Sequence, residues 1–263
     1  MLKSLIHWIF RLVGYRLVQL HVLKVHAERS TEARVMEAIN RIGPVTVIDV
    51  GANEGQFAQD LINKGYTGKI ISFEPLGAEH ARLTQRALQH QSWVVGSRCA
   101  IGDTAGTAVI HRAGNSYSSS LLKIDEDHIR TAPLQATIAA EDITVRRLDE
   151  CHEVVRDTAG PLFLKLDTQG FELHCLRGAS GIMPRISGMI IECSLVSLYD
   201  GSPLFSDVLD VVRAQGFHLH DLIPGYQSDS GRMLQVDIIV MRSPGRSRAS
   251  DVATHGPSDA VNP

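Results

Sequence analysis

The stretch Val45-Thr-Val-Ile-Asp-Val-Gly-Ala-Asn-Glu-Gly55 decides how the chain is read. Val45, Val47, Ile48 and Val50 form a nearly continuous apolar run, the pattern of a strand buried on both faces, with Pro44 and Gly51 as its limits. Such a strand belongs at the centre of a parallel sheet. Gly51 and Gly55 let the backbone turn sharply and approach a ligand closely, and residues 56–61 begin a helix whose free N–H groups face that ligand. The expected occupant is a nucleotide-like cofactor.

The spacing Asp-x-Gly-x-x-x-Gly departs from the Gly-x-Gly-x-x-Gly of dinucleotide sites, because Asn53 stands where the second glycine belongs. That counts against a pyrophosphate. Asp49, in the turn, repels phosphate and attracts a cation such as the amino group of a methionyl moiety, so S-adenosylmethionine fits better than NAD. A second strand over residues 69–73 ends in Glu74-Pro75, and an acid at that tip takes the two hydroxyls of an adenosine ribose. The plainer alternative, that Asp49 and Glu74 are solvated turn residues, loses weight because each stands at a strand end. Cys99-Ala-Ile-Gly-Asp103 lies where a parallel sheet presents a loop to the adenine ring. The cofactor-binding candidates are therefore Asp49, Gly51, Asn53, Gly55, Glu74, Pro75, Ala100 and Ile101.

With 263 residues and 44% hydrophobic content, the chain can bury one good core. The expected division is an N-terminal helical segment over 1–43, one catalytic domain over 44–242 and a disordered tail over 243–263, rich in Ser, Pro, Gly, Ala and Asp. A formal net charge of −3 offers nucleic acid no basic field, so a nucleic-acid partner is disfavoured. Four scattered cysteines without a Cys-x-x-Cys pair point to a reducing, cytoplasmic compartment. Residues 1–26 are apolar but broken by Lys3, His7, Arg11, Arg16 and Lys24, too charged for a membrane span. Two readings stand for them: an amphipathic helix in peripheral contact with the inner face of a membrane, or a helix packed over the sheet.

The remaining elements alternate. Helices are expected over 30–40, 78–89, 171–177 (stopped by Gly178) and 205–214, and strands over 93–95, 162–166, 189–191, 217–220 and 235–241. Such alternation predicts a doubly wound α/β sheet, mainly parallel, with the last two strands antiparallel. Residues 115–142 read as an irregular polar loop around Ser118-Ser-Ser120, with His111 and His128 nearby.

Phe163-Leu-Lys-Leu-Asp-Thr-Gln-Gly-Phe-Glu172 resembles the hallmark block of the FkbM family of S-adenosylmethionine-dependent O-methyltransferases, with Gln169 in place of the block's inner Glu. The likeness runs from about Val45 to Met241. It also takes in Phe73-Glu-Pro75, Arg147-Leu-Asp149, Leu176-Arg-Gly-Ala179, Glu192, Leu198-Tyr199 and Gln235-Val-Asp237. It implies a class I methyltransferase (Rossmann-like) fold and a methyl group delivered to a hydroxyl, on a sugar, a glycolipid or a polyketide. Asn115, Ser118 and Ser119 of the polar loop, with Tyr199 and Asp237 from the likeness, are the candidate substrate contacts. A small-molecule or lipid-linked glycan is the expected acceptor.

Methyl transfer needs an aligned acceptor oxygen and a group to take its proton. Asp167 and Glu192, at the ends of neighbouring strands, are the catalytic candidates, with His128 as a further general base. The same two carboxylates are candidate ligands for Mg2+, although the absence of a clear third ligand favours a metal-free route. The runner-up functions are an NAD-dependent oxidoreductase and a non-catalytic interaction protein on the same scaffold.

Overall fold

Alternation along β1 (Thr46–Val50) sends Val47 into one hydrophobic layer and Ile48 and Val50 into the other, so both faces of the strand are covered. The computed structural model of the chain describes residues 30–114, 119–125 and 136–242. Residues 1–26 and the tail 243–263, and with them the membrane and disorder readings, lie outside the described residues.

Seven strands form the main sheet: β1, β2 (Ile70–Phe73), β3 (Trp93–Val95), β7 (Leu162–Leu166), β8 (Ile186–Ser194), β9 (Phe217–Pro224) and β10 (Gln235–Arg242). Their order is β3-β2-β1-β7-β8-β10-β9. Pairing is parallel from β3 to β8 and antiparallel on both sides of β10, as the alternation of elements predicts. The order reverses between β1 and β7, the place where open α/β sheets bind ligands beyond their strand ends.

Helices α1 (Thr31–Ile42), α2 (Gln56–Asn63), α3 (Gly77–Ala87), α4 (His152–Val155), α5 (Glu172–Gly178) and α6 (Phe205–Ala214) complete the layers. Ser30 caps α1 through its side chain, as its residue type predicts. Val35, Ala38 and Ile39 of α1 share a core with Val47, Phe163, Ile190 and Ile239, so this helix belongs to the sheet's own core. Gly178 does not stop α5. It is that helix's last residue, and a Cβ there would lie 2.1 Å from the Gly102 carbonyl oxygen, so glycine is needed for close packing.

The expected irregular loop is in part a second sheet. β5 (Gly106–Ala113) and β6 (Thr137–Arg146) pair antiparallel, and β4 (Ala100–Ile101) joins β6 in parallel. Along these strands only Ile110, Ala113, Ile143 and Val145, with the β4 pair, are buried, so most of their length lacks the apolar alternation that marks a strand. Leu76, Ala100, Ile110, Ile143 and Val145 pack this small sheet onto the start of α3. Glu141 adds an acceptor for Gly77 N at 3.1 Å and ion pairs to Arg98 and Arg112.

Candidate functional site

At the carboxyl ends of β1 and β2 the chain makes two tight structures that face one cleft. Gly51 has φ +74°, and a Cβ on it would lie 1.9 Å from the Asp167 carbonyl oxygen, so the turns after β1 and β7 touch through a glycine. Glu74, 5% exposed, accepts from Asn53 N at 2.8 Å and from Leu76 N at 2.9 Å. Those two bonds fix the carboxylate between the turns. Burial pushes its pKa up to about 7.

The cleft is lined by Gly51, Asn53, Glu74 and Pro75 on one side and Ala100 and Ile101 on another, with Ser119 and Ser120 beyond them. Phe73, Leu76, Ile110, Leu121 and Phe171 give it apolar walls, and Glu74 and Asp167 are the only charged side chains among its lining residues. A flat, uncharged ring fits such walls, and a hydroxyl pair fits Glu74. Among the described residues no cation lines the cleft.

Two cofactor candidates are placed elsewhere. Asp49 is fully buried, and its carboxylate takes Ser72 Oγ at 3.2 Å and Lys165 Nζ at 3.1 Å. The reason is register: Asp49 and Lys165 are direct cross-strand partners on β1 and β7, so the acid is neutralised inside the sheet and does not reach a ligand. Gly55 is turned away as well. Its missing Cβ would lie 2.6 Å from the Trp93 ring, so it seats α2 against β3.

Lys165 ties this region together. It donates to the Gly51 carbonyl at 2.8 Å and lies 3.6 Å from Asp167. Burial opposes its charge, but Asp49 and Asp167 outweigh burial and hold the ammonium above its ordinary range. Glu172 performs a matching task in the next turn: it accepts from Thr168 N, Thr168 Oγ1 and Gly170 N, each at 3.1 Å, and so shapes residues 168–170. Burial raises its pKa to about 6.

The carboxylates predicted from strand ends do meet. Gln169 Nε2 donates to Asp167 Oδ1 at 2.9 Å and to Glu192 Oε2 at 2.6 Å, and Gln235 Nε2 gives Glu192 Oε2 a second donor at 2.8 Å. Asp237 faces Glu192 across the β8–β10 pair. Burial, then Asp167 and Asp237, push Glu192 well above the carboxylate range, and burial, then Asp167, pushes Asp237 up to about 7. The candidate Mg2+ position between Asp167 and Glu192 is thus filled by an amide donor. Among the described residues no group of three or more His, Cys, Asp or Glu is arranged to hold a metal.

A second cleft opens on the α1–α2 side of the same turns. Thr31, Glu32, Phe57, Asp60, Lys165, Asp167 and Asp237 line it, and it shares Gly51, Asn53 and Asp167 with the first. Asp237 therefore lines one cleft with Asp167. Tyr199 does not. It is 2% exposed and donates to Gln169 Oε1 at 2.7 Å, which makes it a support for that amide instead of a substrate contact. Ser119 lines the first cleft and accepts from Ala113 N at 3.2 Å. Asn115, Ser118 and His128 lie outside the described residues.

Lys165, Gln169, Ser120, Glu172 and Gln235 were not among the expected site residues. Lys165 carried a readable signal, since a lysine inside an otherwise apolar buried strand needs an acidic partner and Asp49 holds the matching place in β1, and Gln169 stood out as the departure from the hallmark block.

The Methyltransferase FkbM domain matches residues 49–219, more than half of the chain. Among solved structures the chain is similar to methyltransferase FkbM from Methylobacillus flagellatus KT, at 17% identity over 75% of this chain and 43% of that chain, with a TM-score of 0.45. It is similar to an S-adenosylmethionine dependent methyltransferase from Mesorhizobium loti, at 10% identity over 82% of this chain and 100% of that one, with a TM-score of 0.45. A third is 1,6-didemethyltoxoflavin-N1-methyltransferase from Burkholderia thailandensis, at 11% identity, 82% and 78% coverage and a TM-score of 0.44. The chain thus spans 43% of the length of the Methylobacillus flagellatus protein. No curated protein matches it.

Proposed function

The chain belongs to the FkbM methyltransferase family, and from that premise we propose that it transfers a methyl group from S-adenosylmethionine to a hydroxyl of a sugar, glycolipid or polyketide-type acceptor. The observation that carries the reading is the first cleft: a buried carboxylate at the end of β2 held by two backbone amides, facing apolar walls. Those residues suit the cofactor's parts. Glu74 accepts from the ribose hydroxyls, and Phe73, Ala100, Ile101 and Leu121 bury the adenine.

When bound, the cofactor supplies a methyl group activated for displacement by its positive sulfur. What this chain adds is alignment and a proton acceptor. Asp167 lies at the junction of the two clefts, 40% exposed at its side chain. One oxygen is held by Gln169 and the other faces Lys165, so the carboxylate is fixed in rotation. In such a transfer the methyl–sulfur bond would break as the acceptor oxygen takes the methyl, and the hydroxyl proton would pass to Asp167, which would later release it to water. The second cleft carries Glu32, Asp60, Asp167 and Asp237 against a Lys165 already paired with Asp49, so it favours neutral polyhydroxyl acceptors over phosphorylated ones. A lipid-linked glycan is included because residues 1–26 have apolar positions at helical spacing.

The test compares glycolipids, glycans and secondary metabolites of a gene-deletion strain with those of its parent by mass spectrometry. Loss of one methyl mass from a hydroxylated product is the expected result. An unchanged methylation pattern, together with no binding of S-adenosylmethionine by the purified chain, would overturn the reading and leave an interaction protein on a methyltransferase scaffold.

A further inference from the structure

Gln169 is committed at all of its side-chain polar atoms. Both hydrogens of its Nε2 go to carboxylates, Asp167 at 2.9 Å and Glu192 at 2.6 Å, and its Oε1 accepts from Tyr199 at 2.7 Å. The backbone is held as well. Residue 169 has φ +55°, unusual for a side chain of this kind, and its carbonyl accepts from the buried Ser120 Oγ at 2.7 Å. Two acids brought together off the ends of β7 and β8 repel unless something positive stands between them. Here Lys165 stands 3.6 Å from Asp167 and Glu192 is shifted toward its protonated form, and between the two acids, where an ion could bridge, a neutral amide oriented by a tyrosine hydroxyl donates to both.

We propose that Gln169 is a positioning residue that takes the place of a bridging cation between Asp167 and Glu192, so that the site holds its acid pair without metal and keeps the second oxygen of Asp167, on its Lys165 side, turned toward the acceptor. This deepens the methyl-transfer reading and rests on it for the acceptor step, whereas the bridge itself does not depend on turnover. Tyr199 is part of the device. Its O–H fixes which end of the amide faces the acids, since the reversed amide would turn Oε1 toward two carboxylates.

The substitution Gln169→Glu removes both donors and adds a third hard oxygen ligand beside Asp167 and Glu192, with Asp237 across from Glu192. Mn2+ binding to the full-length chain, read by electron paramagnetic resonance without any turnover, is the decisive measurement. The expected result is one Mn2+ per chain in Gln169→Glu, bound at least tenfold more tightly than by the wild type, and lost when Asp167→Asn is added. In turnover, chelator should leave the wild type unchanged and reduce Gln169→Glu at least tenfold in kcat, with Mg2+ restoring part of it. Stoichiometric Mn2+ on the wild type that disappears with Asp167→Asn, or no Mn2+ on a folded Gln169→Glu, would overturn the proposal. If Gln169→Glu does not fold, Tyr199→Phe decides: a fall of threefold or more in kcat at unchanged cofactor affinity supports it, and unchanged kcat overturns it. Failure of the methyl-transfer reading would show differently, as no turnover in any variant while the Mn2+ results stand.

Discussion

At the β1–β2 end of the site, what faces the ligand is backbone and one acid held by two backbone amides, from Asn53 and Leu76. At the β7–β8–β10 end it is side chains held by side chains: Asp167 by Gln169, Gln169 by Tyr199, Glu192 by Gln235. The first construction lies between Gly51 and Leu76, in the turns after two successive strands. The second joins a local bond, Asp167 to Gln169, to partners 30 and 43 positions apart, Gln169 with Tyr199 and Glu192 with Gln235. The first end should therefore respond to mutation through ligand affinity, and the second through turnover, with Lys165 as the member common to both because it binds Gly51, Asp49 and Asp167.

Removing that shared member has the largest expected effect. Lys165→Met leaves the Asp49 carboxylate buried without its counter-charge, and breaking a buried pair in this way costs about 3–5 kcal/mol. Thermal unfolding should show a large drop, and a drop below about 1 kcal/mol would mean that water, not Lys165, neutralises Asp49. Next comes Asp167→Asn, expected to lower kcat by about 10²–10⁴ while cofactor affinity changes little. Equal losses in kcat and affinity would erase the distinction between the two ends.

Smaller effects sharpen the comparison. Glu74→Ala removes the charge-assisted bonds to the ribose, each about 1.5–3 kcal/mol, so cofactor affinity should fall at least about tenfold with kcat at saturation nearly unchanged. Tyr199→Phe removes one hydrogen bond from the amide bridge, worth about 1 kcal/mol to stability, and should show in kcat before it shows in affinity.

The same contrast explains what could be read beforehand. The sheet, its antiparallel end and the cleft residues Gly51, Glu74, Ala100 and Ile101 follow from apolar runs and strand-end residues, which are local patterns. Asp49 was legible as important but not as buried, because its burial depends on the β1–β7 register that places Lys165 opposite it. Glu141 and Arg112 on the second sheet pair across 29 positions, and Gln169, visible only as a departure from the hallmark block, takes its role from Glu192 and Tyr199, 23 and 30 positions away. The β5–β6 sheet escaped notice because most of its side chains face solvent.

The central claim, that the Glu74 cleft holds S-adenosylmethionine, is tested most directly by calorimetric titration of the wild type and Glu74→Gln at several pH values. Burial raises the pKa of Glu74 to about 7, and its ionised form is the one that would accept from ribose hydroxyls. Affinity should therefore be full above pH 7 and fall by up to about tenfold per unit below it, since protonation removes the acceptor. In Glu74→Gln the affinity at pH 8 should be at least about tenfold weaker, and its pH dependence should be lost. Absence of binding by the wild type, or a Glu74→Gln variant that binds as tightly with the same pH profile, would contradict the account.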